Sequence, residues 1–519
     1  MAAPPERAPR AARARLSRWL IPGALLALTA YGAWVRWRLL AASPYPLGVD
    51  GYYYPIQLRS LLEHGHLYYP ASPLAFWLMA PLAALTDPIT GAKLGAALAG
   101  ALVVWPAYAV GARLAGPHGR WLAGLAAALV AVTSTGSLLL SAEFVKNAFG
   151  VTVGLAALAA ALAAAEELTR RRLAVAAVAA LAAVLTHKVA AALVVALGLP
   201  PLLVAGWRAA PASRRRRLLV AAGLVAAGLG FVGALAPDRF LSLAHLPLLR
   251  GALGGAWRWD APALALRGFE LPLDGEGWKA GAACALAALL MLAARRGARH
   301  EATDRGATTL AAALVLALGG LIAWPGLAVD DPQGLGFRLR LVAFVPLALA
   351  VAIACAAALT LAPARARRAA TAAVAVALAL WIARAPTSLA RGVVYAHPAM
   401  ISAVLGLRAA VPSGDTVVVS ERHLMFLTTW YTRVRTSVRQ DAAAPARRWR
   451  LMPLAFIGLG SPLARAIDEA RRQPDLVAPR GLHPNHHDGL VLMPEATWQW
   501  ILTRLPPAPR ARYAAWPTL

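Results

Sequence analysis

The chain has 519 residues, of which 59% are hydrophobic, and its mean hydropathy of +0.58 excludes a single soluble core. The net charge of +28 comes from arginines in short clusters between apolar runs, a pattern typical of cytoplasmic loops and not of a nucleic-acid binder. Cys284 and Cys355 lie in predicted spans without Cys or His at ligand spacing, so neither redox chemistry nor zinc is indicated. The composition predicts a polytopic α-helical membrane protein.

The N-terminus, residues 1–18, is rich in arginine and precedes an apolar stretch, as in a signal peptide. LLAAS offers a candidate cleavage site, but Arg36 and Arg38 interrupt the region ahead of it. We therefore predict an uncleaved first membrane span that follows a basic cytoplasmic N-terminus.

Hydropathy predicts about eleven transmembrane helices in all. They cover residues 19–40, 88–112, 121–139, 148–165, 173–186, 189–206, 218–236, 279–294, 307–326, 339–361 and 369–383. With a cytoplasmic N-terminus, this order places every following basic segment inside: GARLAGPHGR, EELTRRR, GWRAAPASRRRR, ARRGARHEATDRG and APARARR. The sequence thus predicts a multi-pass protein of the plasma or inner membrane, with its C-terminus outside.

The first outer loop, residues 41–87, contains two predicted helices. SPLAFWLMAPLAALT, residues 72–86, is too short to cross a bilayer of about 30 Å, so we expect it at the outer membrane surface. Before it, GVDGYYYPIQLRSLLEHGHLYYP, residues 48–70, predicts a surface helix that places Tyr54, Leu58, Leu61 and Leu62 on one face. This helix would hold Asp50 at the level of the lipid headgroups. The alternative is that Asp50 only belongs to an Asp-Gly turn.

Two further acidic sites are predicted on the same outer side. Glu143 lies in the short turn of LLLSAEFVKNAFG, where the alternative is an ion pair with Lys146 in the loop. Asp50 and Glu143 would supply oxygen ligands for Mn²⁺ or Mg²⁺, or one of them would act as a general base. Asp330 and Asp331, in AVDDPQGLGF, are candidates for a third ligand or members of a solvated loop.

Basic side chains also fall at the outer ends of predicted spans. His187 and Lys188 lie in the outer turn of THKVAAAL, and Arg338 and Arg340 begin RLRLVAFVPLALA. Charges at this depth are costly unless they pair or bind a ligand, and the arginine fork matches phosphate oxygens. Arginines whose side chains snorkel to the interface are the alternative.

The C-terminal segment, residues 384–519, differs from the span-rich region 19–383. DTVVVS, TRVRTSVR and GLVLM predict strands, so we expect a small extracytoplasmic α/β domain. HPNHHDG within it predicts either a metal site or a plain polar loop, and the candidate ligands are His483, His486, His487 and Asp488.

The order of these motifs resembles the GT-C superfamily of lipid-dependent glycosyltransferases, most of all the catalytic subunit of oligosaccharyltransferase. The resemblance implies that Asp50 is the first-loop acid, that Glu143 is the acid of the second outer loop, and that Arg338 or Arg340 contacts the donor phosphate. In aminoarabinose and protein O-mannosyl transferases a similar Thr-Lys implies Lys188 at the lipid phosphate.

Two departures from the oligosaccharyltransferase pattern concern the acid pair and the acceptor motif. The second loop has one acid instead of Asp-x-Asp, and ERHLMFLTTWYTRVRTSVR stands where Trp-Trp-Asp-Tyr-Gly is expected. Transfer to asparagine and metal dependence therefore do not follow from the resemblance.

The sequence as a whole leads to a functional hypothesis. It predicts an inverting enzyme that moves a sugar from a polyprenyl-phosphate or polyprenyl-pyrophosphate donor to an extracytoplasmic glycan, lipid or protein. A transporter or flippase of a lipid-linked or anionic solute is the alternative, and such a protein would place its charged groups near mid-membrane. A membrane scaffold without catalytic activity is a third class.

Overall fold

The computed structural model describes residues 7–115, 119–211, 250–251, 254–255, 257, 274–297, 306–324, 327, 335–387, 398–412, 414–438, 447–453, 460–473 and 490–514. Its helices are α1 Arg7–Ala41, α2 Tyr53–His64, α3 Leu74–Leu85, α4 Pro88–Leu102, α5 Val104–Leu114, α6 Arg120–Thr133, α7 Thr135–Glu143, α8 Val145–Glu166, α9 Arg170–Thr186, α10 Lys188–Ala209, α11 Asp274–Gly297, α12 Gly306–Ile322, α13 Leu335–Leu341, α14 Phe344–Leu361, α15 Arg367–Ala383, α16 Pro398–Ala410, α17 Arg422–Thr432, α18 Pro462–Arg471, α19 Glu495–Arg504 and α20 Pro507–Ala514. Its strands are β1 Thr416–Val419, β2 Arg435–Ser437, β3 Arg448–Pro453 and β4 Leu490–Pro494.

The chain forms two compact units. The first comprises Met1–Ala41, Tyr69–Met79 and Lys93–Arg391, and the second comprises Ala42–Tyr68, Ala80–Ala92 and Gly392–Leu519. The second unit thus joins parts of the predicted first outer loop to the C-terminal segment, a grouping that crosses the boundaries predicted from the sequence.

Helices that are long and apolar enough to cross a membrane make up much of the first unit. Among the described residues there are five: Pro88–Leu114, Val145–Glu166, Lys188–Ala209, Glu276–Arg296 and Phe344–Leu361. The pair of α6 and α7, bent by 47°, brings the number to six if it counts as one span. The predicted spans on described residues fall mainly on helix, and 121–139 and 339–361 each cross a break between two helices. Residues 218–236 lie outside the described residues. The total of eleven spans stays a prediction.

Small residues let the helices of this bundle pack closely. At Gly111 of α5, a Cβ atom would lie only 2.6 Å from the Cβ of Ala127 on α6 and 3.2 Å from that of Ala352 on α14. Such contacts are typical of helices packed within a membrane, where close approach of backbones maximises van der Waals attraction. The sequence, rich in Ala and Gly, therefore packs through shape rather than through large side chains.

The outer surface of the bundle is apolar. Helix α15 has no buried residue, and α9 exposes Leu173, Val175, Val178 and Leu181. Large exposed apolar faces on regular helices are expected where the surroundings are lipid. The first unit is therefore the multi-pass membrane part of the protein.

The second unit contains a four-stranded sheet in the order β2-β1-β3-β4. Strand β1 pairs in parallel with β2 and β3, with Val417 opposite Thr436 and Trp449, while β3 and β4 are antiparallel. The three predicted strand segments coincide with β1, β2 and β4, and β3 had no prediction. HPNHHDG lies outside the described residues.

Helices α18 and α19 cover this sheet through an apolar core. Leu463, Ile467, Trp498 and Ile501 are all almost fully buried there against Met452 of β3. Beside this core, Arg450 of β3 donates from Nε to Oε2 of Glu495 at 2.9 Å and from Nη2 to Oε1 at 3.1 Å. Burial alone would raise the pKa of Glu495, but hydrogen bonds from Arg450 and Gln499 outweigh burial and hold the pKa below its usual range.

Candidate functional site

Glu143 lies at the junction between α7 and α8. It is the last residue of α7 and is 9% exposed, and the backbone of Phe144 leaves the helical conformation before α8 starts at Val145. Lys146 and Asn147 therefore fall in the first turn of α8, and both are half-buried. One short junction thus presents a carboxylate, an ammonium group and a carboxamide.

His187 lies at a second junction, between α9 and α10. Its backbone is extended, with φ −165° and ψ 149°, so it ends one helix and caps the next. Its Nδ1 accepts the backbone N–H of Val189 at 3.1 Å, which leaves Nε2 to carry the ring proton. A Cβ atom at Gly150 would lie 2.9 Å from the Cβ of His187, so this junction packs directly on α8.

Arg338 and Arg340, both on α13, have opposite environments. Arg338 is exposed, and its neighbour Phe337 packs against Phe144 with ring centroids 5.8 Å apart. Arg340 is 2% exposed, donates from Nη2 to the carbonyl oxygen of Trp324 at 3.2 Å, and occupies the space beside Gly277 on α11. Of the two, only Arg338 therefore presents its guanidinium to the surroundings.

The two junctions and Arg338 of α13 together form a cluster of positive charge. Burial lowers the pKa of His187 well below its usual range, and the nearby charges of Lys146, Arg338 and Lys188 lower it further. The imidazole is therefore neutral at physiological pH, and the three surrounding side chains carry the charge. We call Lys146, His187, Lys188 and Arg338 the cationic cluster.

Helix termini add to the positive potential of the cationic cluster. Both α8 and α10 begin there, at Val145 and Lys188. Because unpaired N–H groups and the helix dipole make an N-terminus electropositive, two such termini beside three cations favour an anion. Phosphate suits the arrangement, since its oxygens accept hydrogen bonds from guanidinium, ammonium and Nε2–H groups alike.

Asp50 lies in the second unit, in a turn that leads into α2. The Gly51 N–H donates to the Gly48 carbonyl oxygen at 3.0 Å and the Tyr53 N–H to the Asp50 carbonyl oxygen at 3.0 Å, with Asp50 half-buried. Helix α2 then runs from Tyr53 to a left-handed Gly65, with φ 74°. The turn is therefore present, and the role of the carboxylate stays a prediction.

Helix α2 buries a different face from the one predicted. Tyr54 and Leu58 are buried as expected, but Leu62 is 44% exposed, and Ile56 and Gln57 are buried instead. The buried face is therefore set by protein packing and not by an apolar stripe toward lipid.

The partner of α2 within the second unit is α17. The Tyr52 and Tyr431 hydroxyls hydrogen-bond at 3.0 Å. Arg59 donates from Nη1 to the Trp430 carbonyl oxygen at 3.0 Å, and its guanidinium lies 4.3 Å from the centre of the Trp430 ring. The Asp50 segment is thus packed on ERHLMFLTTWYTRVRTSVR, the stretch that replaces the expected acceptor motif.

Solved structures of membrane enzymes share this arrangement of helices. The archaeal oligosaccharyltransferase AglB from Archaeoglobus fulgidus, in complex with an inhibitory peptide and a dolichol-phosphate, has 13% identity and a TM-score of 0.52, over 86% of this chain and 71% of that one. The apo form of the Archaeoglobus fulgidus enzyme has 14% identity and a TM-score of 0.51, over 85% and 71%.

The chain has the GT-C fold. ArnT from Cupriavidus metallidurans, in the apo state, covers 94% of this chain with 14% identity and a TM-score of 0.39. No protein-family model matches the chain, and no curated protein matches it in sequence. The two oligosaccharyltransferase structures confirm, for the fold alone, the resemblance stated from the motifs.

The divalent metal predicted from the sequence was assigned to three carboxylates. Asp50 and Glu143 belong to different compact units, and Asp331 lies outside the described residues. Within the part of the chain that the structure describes, no three His, Cys, Asp or Glu side chains form a cluster. The ligand set for Mn²⁺ or Mg²⁺ stays a prediction.

Sequence reasoning did not select three residues that lie at the cationic cluster or at the break before α7. Lys146 was considered only as a loop partner of Glu143, and Arg36 only as an interruption of a signal-peptide pattern. Glu276 was not considered, although an acid beside the start of an apolar helix was a usable signal. Arg36 and Glu276 both contact the break before α7, the helix that ends at Glu143.

Proposed function

We propose that this protein is a GT-C glycosyltransferase that takes a sugar from a polyprenyl-phosphate or polyprenyl-pyrophosphate carrier. It transfers the sugar, with inversion, to an acceptor outside the membrane. The observation that supports this most is the cationic cluster, in which the charges of Lys146, Lys188 and Arg338 lie near the buried His187 and the junctions pack on one another. A lipid phosphate is the anion expected beside the ends of membrane helices.

The chemistry assigns each member of the cationic cluster a task. A nucleophilic atom of the acceptor forms a bond to the anomeric carbon and gives its proton to a base. The bond from that carbon to the phosphate oxygen breaks, and its electron pair leaves with the phosphate. Lys188 and Arg338 then stabilise the added negative charge, together with Lys146, while Nε2–H of His187 donates a hydrogen bond. Exposed Arg338 is the phosphate contact in this proposal, and buried Arg340 holds α13 against α11.

The carboxylates complete the proposal. Asp50 acts as the base toward the acceptor or as a metal ligand, and Glu143 acts as a positioning acid or a second ligand. A bound Mn²⁺ or Mg²⁺ would add positive charge at the phosphate. The dolichol-phosphate in the complex of the archaeal AglB is a lipid phosphate of the kind proposed here.

Lipids that co-purify with the protein provide the first test. Wild type, purified gently from cells that make polyprenyl-linked sugars, should carry polyprenyl phosphate or its glycosylated form by mass spectrometry. Lys188→Ala and Arg338→Ala should lose this lipid, whereas Arg368→Ala, an exposed cation at the start of α15, should retain it.

The contrary outcomes are also specific. A wild type that carries no such lipid would shift the assignment toward a transporter of another solute. Equal lipid content in Arg338→Ala and Arg368→Ala would remove Arg338 from the phosphate site. If the lipid is present, its mass also identifies the sugar and the number of phosphates.

A further inference from the structure

The break between α6 and α7 holds two buried charges that the proposed reaction does not yet use. Ser134 is extended there, with φ −69° and ψ 146°, and the two helices diverge by 47°. A break inside a membrane bundle exposes the last carbonyl oxygens of one helix and the first N–H groups of the next. These groups need partners that hydrocarbon does not supply.

Arg36 of α1 binds the carbonyl side of the break. It is 1% exposed and donates from Nη2 to the Val132 carbonyl oxygen at 3.0 Å. The same guanidinium donates to Ser137 Oγ at 2.7 Å and to Ser141 Oγ at 3.0 Å, both on α7. It also donates within its own helix, to the Gly32 carbonyl oxygen at 3.1 Å. One side chain thus joins the end of α6 to one face of α7.

Glu276 of α11 binds the N–H side of the break. It is 5% exposed, and its two carboxylate oxygens accept the backbone N–H groups of Thr135 and Gly136, the latter at 2.8 Å. A carboxylate at a helix N-terminus and a guanidinium at a helix C-terminus are each favoured by the helix dipole. The two charges therefore have complementary positions at the same break.

Two glycines make room for these charges. A Cβ atom at Gly100 would overlap the Arg36 side chain and Ser141 Oγ, and one at Gly136 would lie 2.9 Å from Glu276 Oε2. The guanidinium and carboxylate are thus held in fitted spaces, which limits the directions that α7 can take.

The direction of α7 matters because Glu143 is its last residue. Nine residues at 1.5 Å each make α7 about 13 Å long, so straightening the 47° bend would move its far end by about 11 Å. Lys146 follows within one turn and would move with it. The bend at the break therefore determines the positions of both Glu143 and Lys146 at the α7–α8 junction.

We propose that Arg36 and Glu276 are positioning residues that set the direction of α7 and so place Glu143 and Lys146 for sugar transfer. The role of Glu143 in this statement rests on the proposed function. The effect of Arg36 and Glu276 on the direction of α7 does not depend on it. The direction of α7 and the role of Glu143 are therefore tested separately.

The first experiment measures the direction of α7 without any substrate. Spin labels at Trp121→Cys and Lys146→Cys, in a Cys284→Ala, Cys355→Ala background, report the distance across the break by pulsed electron resonance. Glu276→Gln and Arg36→Met should broaden the distance distribution or lengthen its mean by roughly 3 Å toward a straight helix. Arg113→Lys and Glu166→Gln, an ion pair between α5 and α8, should retain the parent distribution.

The second experiment measures single-turnover transfer from the co-purifying donor. Glu276→Gln and Arg36→Met should lower the transfer rate tenfold or more, with less than a threefold change in donor affinity. Arg36→Lys, which keeps the cation but not the fork, should restore part of the rate. Size-exclusion profiles identify any variant that fails to fold. If Arg36→Met fails to fold, the folded Glu276→Gln variant decides.

The outcomes separate the two proposals. An unchanged distance distribution in folded Glu276→Gln and Arg36→Met would overturn the inference about the break. If Glu143→Gln transfers sugar normally, the proposed role of Glu143 fails, whatever the labels report. If Glu143→Gln is inactive while both break variants keep the parent rate, the positioning role fails and the proposed function stands.

Discussion

Acid should destabilise this protein through His187 in particular. The folded state holds the imidazole neutral, because the site is buried and three cations surround it, so the pKa lies well below its usual value of 6.5. The unfolded chain titrates near that usual value. Between these two pKa values the unfolded state binds one more proton, so stability falls as the pH drops below about 6.5.

The magnitude follows from this difference in proton binding. At pH 5 an unfolded histidine of pKa 6.5 is almost fully protonated, which favours unfolding by about 2 kcal/mol relative to pH 7.5. The slope approaches about 1.4 kcal/mol per pH unit for the one proton. Both values assume that the folded imidazole stays neutral throughout.

Denaturant unfolding in detergent between pH 5 and pH 7.5 measures this contribution. The matched variant is His187→Asn, whose side-chain oxygen can still accept the Val189 N–H but does not titrate. The stability of wild type relative to this variant should fall by about 2 kcal/mol from pH 7.5 to pH 5. A relative stability that is constant with pH would refute the argument, and one that rises on acidification would show that His187 gains an acidic partner.

Three further predictions concern the second unit. Asp50→Asn should abolish transfer. Its melting temperature should stay within about 2 °C of wild type, because a half-buried turn carboxylate contributes little to packing. Normal transfer by the folded variant would remove Asp50 from the mechanism. Arg59→Ala should lower the free energy of unfolding by roughly 2–3 kcal/mol in denaturant, since it loses the carbonyl hydrogen bonds and the aromatic contact to α17. A decrease of less than about 0.5 kcal/mol would contradict the packing of α2 on α17. Glu495→Ala leaves Arg450 buried without its carboxylate and should lower the free energy of unfolding by about 3–5 kcal/mol. Asp468→Ala, which breaks a more exposed ion pair, should lower it by less than about 1 kcal/mol. Similar losses in the two variants would refute the argument from burial of the Arg450–Glu495 pair.

Much of the helical layout of this protein was readable from local sequence. Each predicted span on described residues falls mainly on helix, because a run of apolar residues is a local property and a backbone in lipid must bond within its own segment. The break at Ser134 was not predicted, although TSTGS, residues 133–137, is a polar stretch inside the apolar run 121–139. The side chains that stabilise the break are those of Arg36 and Glu276, which lie about 100 and 140 residues away in sequence.

The candidate site shows the same division between local and tertiary information. The sequence by itself determined the helical membrane class, the strands β1, β2 and β4, the motif order of the GT-C fold, and the short junctions between helices at Glu143 and at His187. Only the tertiary structure separated exposed Arg338 from buried Arg340, two positions apart on one helix. It also brought Lys146 into the cationic cluster and packed the Asp50 segment on α17. The physical reason is that hydropathy and helix periodicity depend on neighbours in sequence, whereas burial and electrostatic coupling depend on which segments fold against each other.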